Sequence, residues 1–396
     1  MNCTSLGAVP TDQGSLPGLR QRNRRQILDV VRHRGTTSRP DIARRTGLSP
    51  TTVSTLVGQL LSEAVVVELS DTTSTPGGGR PARLLGLNPA AGGVVGVHLG
   101  HDHVRVAVTD LGGEVVAETI SELDVDHRPT ETTTFVADEA MRLVGVSGQR
   151  PQSVIGLGIA VSAPVSPATH VVDSDVILPD WRRVDLAGEV ARRTGYAVEI
   201  GNDANLGAVA EHRFGVARAV DDFIYVMVSE GVGAGLVLDG RLYEGALGAA
   251  GELGHVTVEP GGFVCRCGNR GCLETVAGAH ALTAALTLTH GGHTTPATIR
   301  AADARGDERA RRVMSDAGLA IGRAVNPLCT VLDLGLVVIG GEGAASPTLV
   351  EAVRTTLAGS TTPLRRQPVP VRAGQLGERA ELLGAVALAT QRLTVV

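Results

Sequence analysis

The 396-residue sequence contains no lysine, so arginine supplies all 36 of its basic side chains. A P-loop requires a lysine beside its glycine-rich turn, and a Schiff-base enzyme requires a reactive lysine. Both kinds of site are therefore excluded. No run of 18 apolar residues occurs, which argues against a membrane-spanning helix. Because the first 20 residues lack a charged start followed by an apolar stretch, we expect no secretion signal and a cytoplasmic protein.

Charge is divided unevenly along the chain. Residues 1–90 carry 11 arginines and 6 acidic residues, whereas the other 306 residues carry 25 arginines and 35 acidic residues. Nine of the 11 N-terminal arginines lie between Arg20 and Arg45. A basic segment on an acidic body indicates that one end binds a polyanion. On charge alone, a solvated basic helix face remains an alternative.

The N-terminal part has the pattern of a small DNA-binding domain. Residues 1–18 are rich in Gly, Pro, Ser and Thr without a period, and they are predicted to form a flexible tail. Helical periodicity begins at Leu19 and is broken at Gly35-Thr36-Thr37. Three short helices followed by a strand hairpin predict a winged helix-turn-helix over residues 19–88.

The second and third of these helices carry the sequence signals of a helix-turn-helix. Ser38 is predicted to cap a helix over residues 39–46, which ends at Gly47. Ser49 is predicted to cap a third helix that starts at Pro50. Hydroxyl and guanidinium groups here can reach phosphates or base edges of double-stranded DNA, although a helical bundle used for protein contact is an alternative. The predicted DNA-binding residues are Arg39, Ser49, Thr51, Thr52, Ser54, Thr55 and Arg80.

Residues 89–396 predict an α/β fold built from a duplicated lobe. A strand–turn–strand–turn–strand pattern occurs over residues 94–120 and again over residues 223–245, each followed by helical stretches. The first turn of the second copy is assigned to residues 231–235 (GVGAG), between two strands, which argues against a Rossmann dinucleotide turn. We expect a ligand cleft between the lobes, near residues 200–275.

Three cysteines and a histidine lie close together in the sequence. An odd total of five cysteines in a protein expected to be cytoplasmic argues against disulfides. Three thiolates and one imidazole complete a tetrahedral zinc shell and leave no position open for water, which indicates a structural ion. Free thiols are the alternative. The predicted ligands are His255, Cys265, Cys267 and Cys272.

Polar residues near this cluster suggest a site for a polyhydroxyl ligand. Asp203 opens a predicted helix, where an aspartate is most often a simple cap. A zinc ion bound by His255 brings Glu252 and Glu274 close to that histidine. Two carboxylates and an imidazole on a rigid loop suit the vicinal hydroxyls of a sugar.

The order of these motifs, a helix-turn-helix, then NDAN, AAGELGH and CRCGNRGCLE, resembles the ROK family (repressor, open reading frame, kinase) over roughly residues 20–396. The resemblance implies a duplicated actin-like or ribonuclease-H-like fold that binds a sugar between its lobes. It implies zinc ligands at the four positions above and places Asp203 where family kinases have their general base. The implied sugar contacts are Asn202, Asp203, Glu252, His255 and Glu274.

Two turns depart from the pattern of the family's kinases. Those kinases hold ATP phosphates with a DxGGT-like turn, which is replaced here by His98-Leu99-Gly100-His101-Asp102. Their GTG turn is replaced by Ser229-Glu230-Gly231. Because carboxylates repel a phosphate tetra-anion, we predict that phosphoryl transfer is lost and that Asp203 is a vestigial base. A second metal site is a minor alternative for His98, His101 and His103.

We therefore predict a sugar-responsive repressor of carbohydrate-metabolism genes that binds operator DNA as a homodimer or a dimer of dimers. An ATP-dependent sugar kinase with an attached DNA-binding domain is the main alternative. A zinc-dependent interaction scaffold is the third. The identity of the sugar or sugar phosphate, and whether it induces or co-represses, stay open.

Overall fold

The computed structural model describes residues 16–69, 83–174, 176–290, 294–359 and 367–390. The chain divides into two compact units and passes from the first to the second between Asn88 and Pro89. Each unit has its own buried apolar core.

The first unit combines helices with a small antiparallel sheet. Its elements are α1 (Leu16–Arg34), β1 (Thr36–Ser38), α2 (Arg39–Thr46), α3 (Pro50–Ser62), β2 (Val66–Leu69) and β3 (Leu84–Leu87). The strands pair antiparallel in the order β1-β3-β2. This arrangement is the predicted winged helix-turn-helix. The apolar faces of the three helices meet β2 and β3 in a core of Ile27, Leu28, Val31, Ile42, Val53, Leu56, Val57, Leu60, Val66 and Leu85.

Capping residues set the ends of the two central helices where the sequence predicts them. The Ser38 hydroxyl accepts a hydrogen bond from the Asp41 amide, and the Ser49 hydroxyl accepts one from the Thr52 amide. Gly47 ends α2 with a φ of 69°, a conformation that a residue with a side chain adopts only under strain. Each side-chain cap stabilises its helix by about 1 kcal/mol.

Two sequence expectations for this unit need correction. The first helix has 19 residues and begins at Leu16, so residues 16–18 belong to it and not to a tail; the tail prediction for residues 1–15 lies outside the described part of the chain. Thr36 and Thr37 do more than break the helix. They form β1 and pair with Gly86 and Leu85 of β3.

The second unit consists of two lobes with the same sheet topology. The first lobe has β4 (Gly93–Leu99), β5 (His103–Asp110), β6 (Val115–Glu122), α4 (Pro129–Val146), β7 (Val154–Val161), α5 (Leu186–Thr194) and β8 (Val198–Asn202). The second lobe has β9 (Phe223–Val228), β10 (Val232–Leu238), β11 (Arg241–Leu242), α7 (Glu274–Ala277), α8 (Ala279–His290), α9 (Pro296–Ala304), α10 (Glu308–Val331), β12 (Leu336–Gly340), α11 (Pro347–Gly359) and β13 (Val371–Ala373).

Strand pairing confirms the predicted duplication. The sheets are ordered β6-β5-β4-β7-β8 and β11-β10-β9-β12-β13. In each sheet the first three strands along the chain are antiparallel, and the last two add in parallel. The continuous apolar strands β4, β7, β9 and β12 are buried because helices cover them.

Two helices fill the space between the sheets. They are α6 (Asp203–Arg213), which packs on β9 and β10, and α12 (Ala380–Ala389), which packs on β4 and β7. The two helices also pack on each other. The N-terminus of α6 therefore lies at the boundary of the two lobes.

The turn between β9 and β10 falls earlier than residues 231–235, to which the strand pattern assigns it. The turn is Ser229-Glu230-Gly231, and residues 232–235 already belong to β10. A Cβ atom on Gly235 would lie 2.5 Å from the Cβ of Ala208 in α6. The glycines of β10 are thus required by the close approach of α6, and not by a turn.

Candidate functional site

The N-terminus of α6 presents Asn202 and Asp203 to the cleft between the lobes. Asn202 caps the helix: its Oδ1 accepts from the Asn205 amide at 3.0 Å, and its Nδ2 donates to Asp203 Oδ1 at 3.0 Å. Asp203 is therefore the first helical residue and not the cap. Its side chain is held by this bond and by the Ala204 amide at 2.7 Å. Burial raises the pKa of the Asp203 carboxyl, which is only 3% exposed.

Glu252 and His255 lie on a loop fixed to β10. The Ala234 amide donates a 2.8 Å hydrogen bond to the carbonyl of Gly251, which holds the loop beside the strand. His255 Nε2 lies 3.8 Å from Glu252 Oε2. Burial raises the pKa of the Glu252 carboxyl, and the neighbouring His255 opposes that rise.

Glu274 starts α7, and both of its carboxylate oxygens accept hydrogen bonds from Arg266. The Nε–Oε1 distance is 2.9 Å and the Nη2–Oε2 distance is 3.1 Å. Such a two-point contact fixes the plane of the carboxylate.

One cavity of about 480 Å³ collects these groups. All five predicted sugar contacts line it, as does the Ser162–Pro164 segment that follows β7. A volume of this size accommodates a small ligand. The structure thus brings together Asn202, Asp203, Glu252, His255 and Glu274.

The three cysteines and His255 form a second cluster beside the cleft. One ligand atom from each of the four residues lies within 4.8 Å of all the others. Cys267 Sγ lies 3.7 Å from Cys272 Sγ, and Cys265 Sγ lies 3.6 Å from His255 Nδ1. A tetrahedron with metal–sulfur bonds of ~2.3 Å has edges of ~3.8 Å, so these distances suit a tetrahedral ion.

Backbone pairing explains why four positions spread over 18 residues converge. Thr257 and Cys272 form an antiparallel bridge, and the Cys265 amide donates to the Asn269 carbonyl at 2.8 Å. Burial, followed by the two neighbouring thiols, raises the pKa of Cys272 to about 12. A bound cation would oppose this rise, because metal ligation requires the sulfurs as thiolates.

Helix α3 exposes part of its polar face. Thr51, Ser54 and Thr55 are exposed, whereas Thr52 is half-buried. The Thr55 hydroxyl donates to the Thr51 carbonyl, and Ser49 and Thr52 are engaged in the helix cap. Among the described residues, the hydroxyls of Thr51 and Ser54 have no hydrogen-bond partner, and they are thus free to contact a ligand.

Of the two arginines predicted to bind DNA, only Arg39 lies in the described part of the chain. Arg39 begins α2 and donates to Glu68 of β2 at 3.0 Å, so its guanidinium is engaged within the unit. Arg80 lies outside the described residues.

Comparison with known proteins places the chain in a family. The "ROK family" pattern matches residues 94–392, and a "winged helix-turn-helix DNA-binding" pattern matches residues 20–66. The chain belongs to the ROK family. The xylose repressor of Caldicellulosiruptor bescii is 29% identical over 386 residues, which is 93% of this chain and 96% of the repressor.

Two solved ROK structures support the fold prediction. A ROK-family transcriptional regulator, a homologue of the E. coli MLC protein, has a TM-score of 0.75 at 26% identity and covers 95% of this chain and 97% of its own. A ROK-family glucokinase from Streptomyces griseus, in complex with glucose and AMPPNP, has a TM-score of 0.65 at 27% identity. That match covers 76% of this chain and 100% of the kinase. The predicted two-lobed ROK fold with an N-terminal winged helix-turn-helix is confirmed.

In this ROK chain, the two turns that differ from the family's kinases face each other across the cleft. His101 Nδ1 lies 2.8 Å from Asp126 Oδ1, and His101 Nε2 lies 3.9 Å from Glu230 Oε2. Burial, with neighbouring positive groups, lowers the pKa of His98 to about 3, so this imidazole is neutral. Among the described residues, the ligand atoms of His98, His101 and His103 do not converge with other donors as those of the cysteine cluster do.

Acidic residues outnumber basic ones in the lining of the ROK cleft. Its lining includes eight carboxyl groups and two guanidinium groups. Both guanidiniums are engaged, since Arg105 donates to Glu118 at 2.9 Å and Arg266 pairs with Glu274. The eight acidic residues are Asp102, Asp203, Glu230, Glu252, Glu274, Glu342, Glu378 and Glu381.

Two cleft residues of this ROK chain are missed by sequence reasoning. Glu381 of α12 lines the cavity although it is only 4% exposed, and Arg266 holds Glu274. Glu381 lies in an apolar helical run and is far from every motif in sequence, so no local signal identifies it. Arg266 lies between two predicted zinc ligands, Cys265 and Cys267, and nothing in the sequence indicates that its side chain reaches Glu274.

None of the helices in the described part of the chain combines the length and the apolar character that crossing a membrane requires.

Proposed function

We propose that this ROK-family chain is a sugar-responsive, DNA-binding transcriptional repressor of carbohydrate-metabolism genes that acts in the cytoplasm. One observation carries the proposal. A winged helix-turn-helix unit belongs to the same chain as a cleft that offers carboxylates to hydroxyl groups and an excess of negative charge to phosphate groups.

The proposed sugar site consists of the five clustered residues. Glu252 and Glu274 accept hydrogen bonds from vicinal hydroxyls, and Asp203 accepts one from a hydroxyl near the α6 N-terminus. Asn202 orients Asp203 through the 3.0 Å bond between their side chains. His255 directs Nε2 toward the ligand beside Glu252 and Nδ1 toward the cysteines.

The electrostatics of the cleft support a regulator over an enzyme. Phosphoryl transfer needs positive charge around the transferred group. Here Asp102 and Glu230 lie on the two turns that face phosphate in the family's kinases, and both cleft guanidiniums are engaged. We infer that Asp203 keeps a ligand-binding role as a vestigial base.

A sugar kinase is the second candidate function. It is favoured by Asp203, a buried carboxyl at the position of the kinase base, because burial raises the pKa of this carboxyl and so makes its carboxylate a stronger general base toward a hydroxyl. ATP consumption in the presence of a bound sugar, at roughly 1–100 turnovers per second, would establish the kinase.

The proposed cofactor is a structural zinc ion held by His255, Cys265, Cys267 and Cys272. When bound, it supplies a rigid cross-link between the loop of Glu252 and the start of α7. All four donors are protein atoms, so no site is left for a reacting water. The ion therefore stabilises the sugar-binding loop and does no chemistry.

The proposed DNA interface is the exposed face of α3. Thr51 and Ser54 offer hydroxyls without partners among the described residues, and the arginine-rich segment supplies phosphate contacts. The predicted DNA contacts of Arg39 and Arg80 stay proposals. Arg39 would have to exchange its hydrogen bond with Glu68 for one with DNA. Because operators with two half-sites match a two-fold symmetric protein, we propose a homodimer or a dimer of dimers.

We propose that sugar acts by shifting a population of conformations. Sugar binding between two lobes favours one degree of closure, and operator affinity changes if that closure alters the spacing of two DNA-binding units in the dimer. The test is retardation of a DNA fragment from upstream of the protein's own gene, with and without sugars. The proposal is supported if DNA affinity falls steeply with salt, by about 0.9 log units per phosphate contact for each tenfold rise in salt concentration. Failure to retard any such fragment opposes it.

A further inference from the structure

Arg266 connects the cysteine cluster to the cleft. It lies between Cys265 and Cys267, yet its guanidinium turns toward α7 and binds both oxygens of Glu274 at 2.9 and 3.1 Å. The Glu274 side chain is 14% exposed, whereas that of Arg266 is 39% exposed. The carboxylate is thus mostly enclosed, and its orientation is set from the metal-binding loop.

The pair also packs against the turn between β9 and β10. A Cβ atom on Gly231 would lie 2.8 Å from Glu274 Oε2 and 3.2 Å from Arg266 Nη2. The absence of a side chain at this position is therefore what lets the ion pair rest on the turn. Arg266 is held between the loop, α7 and the turn of the second lobe.

The bidentate contact leaves Glu274 able to bind a hydroxyl. Each carboxylate oxygen has two lone pairs, and Arg266 uses one on each oxygen. Arg105, the other guanidinium in the described lining, donates to Glu118 and Glu378 instead. Orientation of Glu274 therefore depends on Arg266, whose planar fork matches a carboxylate as a lysine ammonium cannot.

We propose that Arg266 is a positioning residue for ligand recognition: it holds Glu274 in the orientation that a sugar hydroxyl requires, and it thereby makes sugar affinity depend on the metal-binding loop. This inference rests on the proposed function, because it assumes that the cleft binds a sugar through Glu274.

The test compares sugar affinities by calorimetry for the wild type, Arg266→Ala, Arg266→Lys and Glu274→Gln. Arg270→Ala is the matched control, since Arg270 is an exposed arginine of the same loop. The probe is whichever of D-glucose, D-xylose, N-acetyl-D-glucosamine, glucose 6-phosphate and N-acetylglucosamine 6-phosphate binds the wild type most tightly. We expect Arg266→Ala to weaken binding about tenfold, Arg266→Lys to recover part of the loss, and Arg270→Ala to bind like the wild type.

A thermodynamic cycle separates positioning from a general loss of structure. Sugar affinities are also measured with monodeoxy forms of the same sugar. The hydroxyl that Glu274 binds is the one whose removal abolishes the loss of affinity caused by Glu274→Gln. With that same analogue, Arg266→Ala should bind as tightly as the wild type does. The zinc content and melting temperature of Arg266→Ala should match those of Arg270→Ala. Wild-type affinity in Arg266→Ala, or an equal loss with every analogue, overturns the inference alone. If the wild type binds none of these five compounds, the proposed function fails with it.

Discussion

The hydroxyl of Tyr225 donates a 3.0 Å hydrogen bond to Glu381 Oε1 in the floor of the cleft. The two residues lie 156 positions apart, in β9 of the second lobe and in α12, which packs on the sheet of the first lobe. The Gly341 amide donates to the Tyr225 oxygen at 3.2 Å, so the phenol is fixed from both sides. Burial raises the pKa of Glu381 to about 7. The cleft therefore contains a carboxyl group that is protonated in mildly acidic solution.

Glu381 should contribute more to the stability of the folded protein at acidic than at neutral pH. Its pKa of about 7 in the folded state lies above the ordinary 4.5. The contribution is then fully present below about pH 4.5 and is lost as the pH rises to 7, a change of about 3 kcal/mol at most. Glu381→Gln should remove this part of the pH dependence. Urea unfolding followed by the fluorescence of Trp181, the single tryptophan, measures it.

Glu378→Gln is the control for this experiment, because Glu378 lies nearby but is 69% exposed. The stability difference between the wild type and Glu381→Gln should vary between pH 4.5 and 8, and the difference for Glu378→Gln should vary much less. A constant difference for Glu381→Gln would show that this carboxyl does not titrate in that range.

Replacing one cysteine of the cluster should abolish metal binding. Cys267→Ser leaves three donors, and we expect the zinc content after dialysis to fall from about one equivalent to near zero. Sugar affinity should fall as well, because the loop that holds Glu252 loses its cross-link. Cys329→Ser in α10 is the control: this buried cysteine lies outside the cluster, and its variant should keep the metal. A full equivalent of zinc in Cys267→Ser would disprove the four-ligand assignment.

Glu252→Ala should separate sugar sensing from DNA binding. Loss of a carboxylate that receives ligand hydroxyls should weaken sugar binding by about 2 kcal/mol or more, whereas the DNA-binding unit is untouched. Operator affinity without sugar should stay within twofold of the wild type. Glu114→Ala, in an exposed turn of the first lobe, should respond to sugar normally. If Glu252→Ala still releases DNA at wild-type sugar concentrations, the ligand site is assigned wrongly.

Ser54→Ala should weaken specific DNA binding. The Ser54 hydroxyl is exposed on α3, and loss of one contact to a base or phosphate costs about 1 kcal/mol, roughly fivefold in affinity. Ser62→Ala is the control on the same helix, because Ser62 lies at its far end and donates to the Gln59 carbonyl. Fluorescence anisotropy with operator DNA measures both. Equal affinity of the two variants would mean that this face of α3 does not contact DNA.

Local chemistry made the first unit and the strand triplets predictable. Ser38 and Gly47 bracket α2, and these signals act within a few residues of the element that they define. The two strand triplets were likewise evident from alternating apolar residues and turns. The strand pattern placed the turn between β9 and β10 too late, at residues 231–235, because the glycines of β10 are required for packing against α6, a contact that no local pattern reveals. The family resemblance, in contrast, indicates residues 229–231.

The candidate site was predictable where a motif concentrates its residues. Glu252 and His255 are three positions apart, and the cysteines follow within 17 residues of that histidine, so their convergence required only a short loop. Glu381 depends on the packing of α12 between the lobes, and Arg266 depends on the orientation of one side chain. Both are properties of the tertiary structure.

The most direct test of the account measures operator affinity as a function of sugar concentration. We predict that at least one of glucose, xylose, N-acetylglucosamine, glucose 6-phosphate and N-acetylglucosamine 6-phosphate binds the protein and changes its operator dissociation constant about 5- to 150-fold, the usual range of coupling between two sites. The response should persist without ATP. A sugar that binds the cleft yet leaves operator affinity unchanged, together with its ATP-dependent phosphorylation, would contradict the account and identify a kinase.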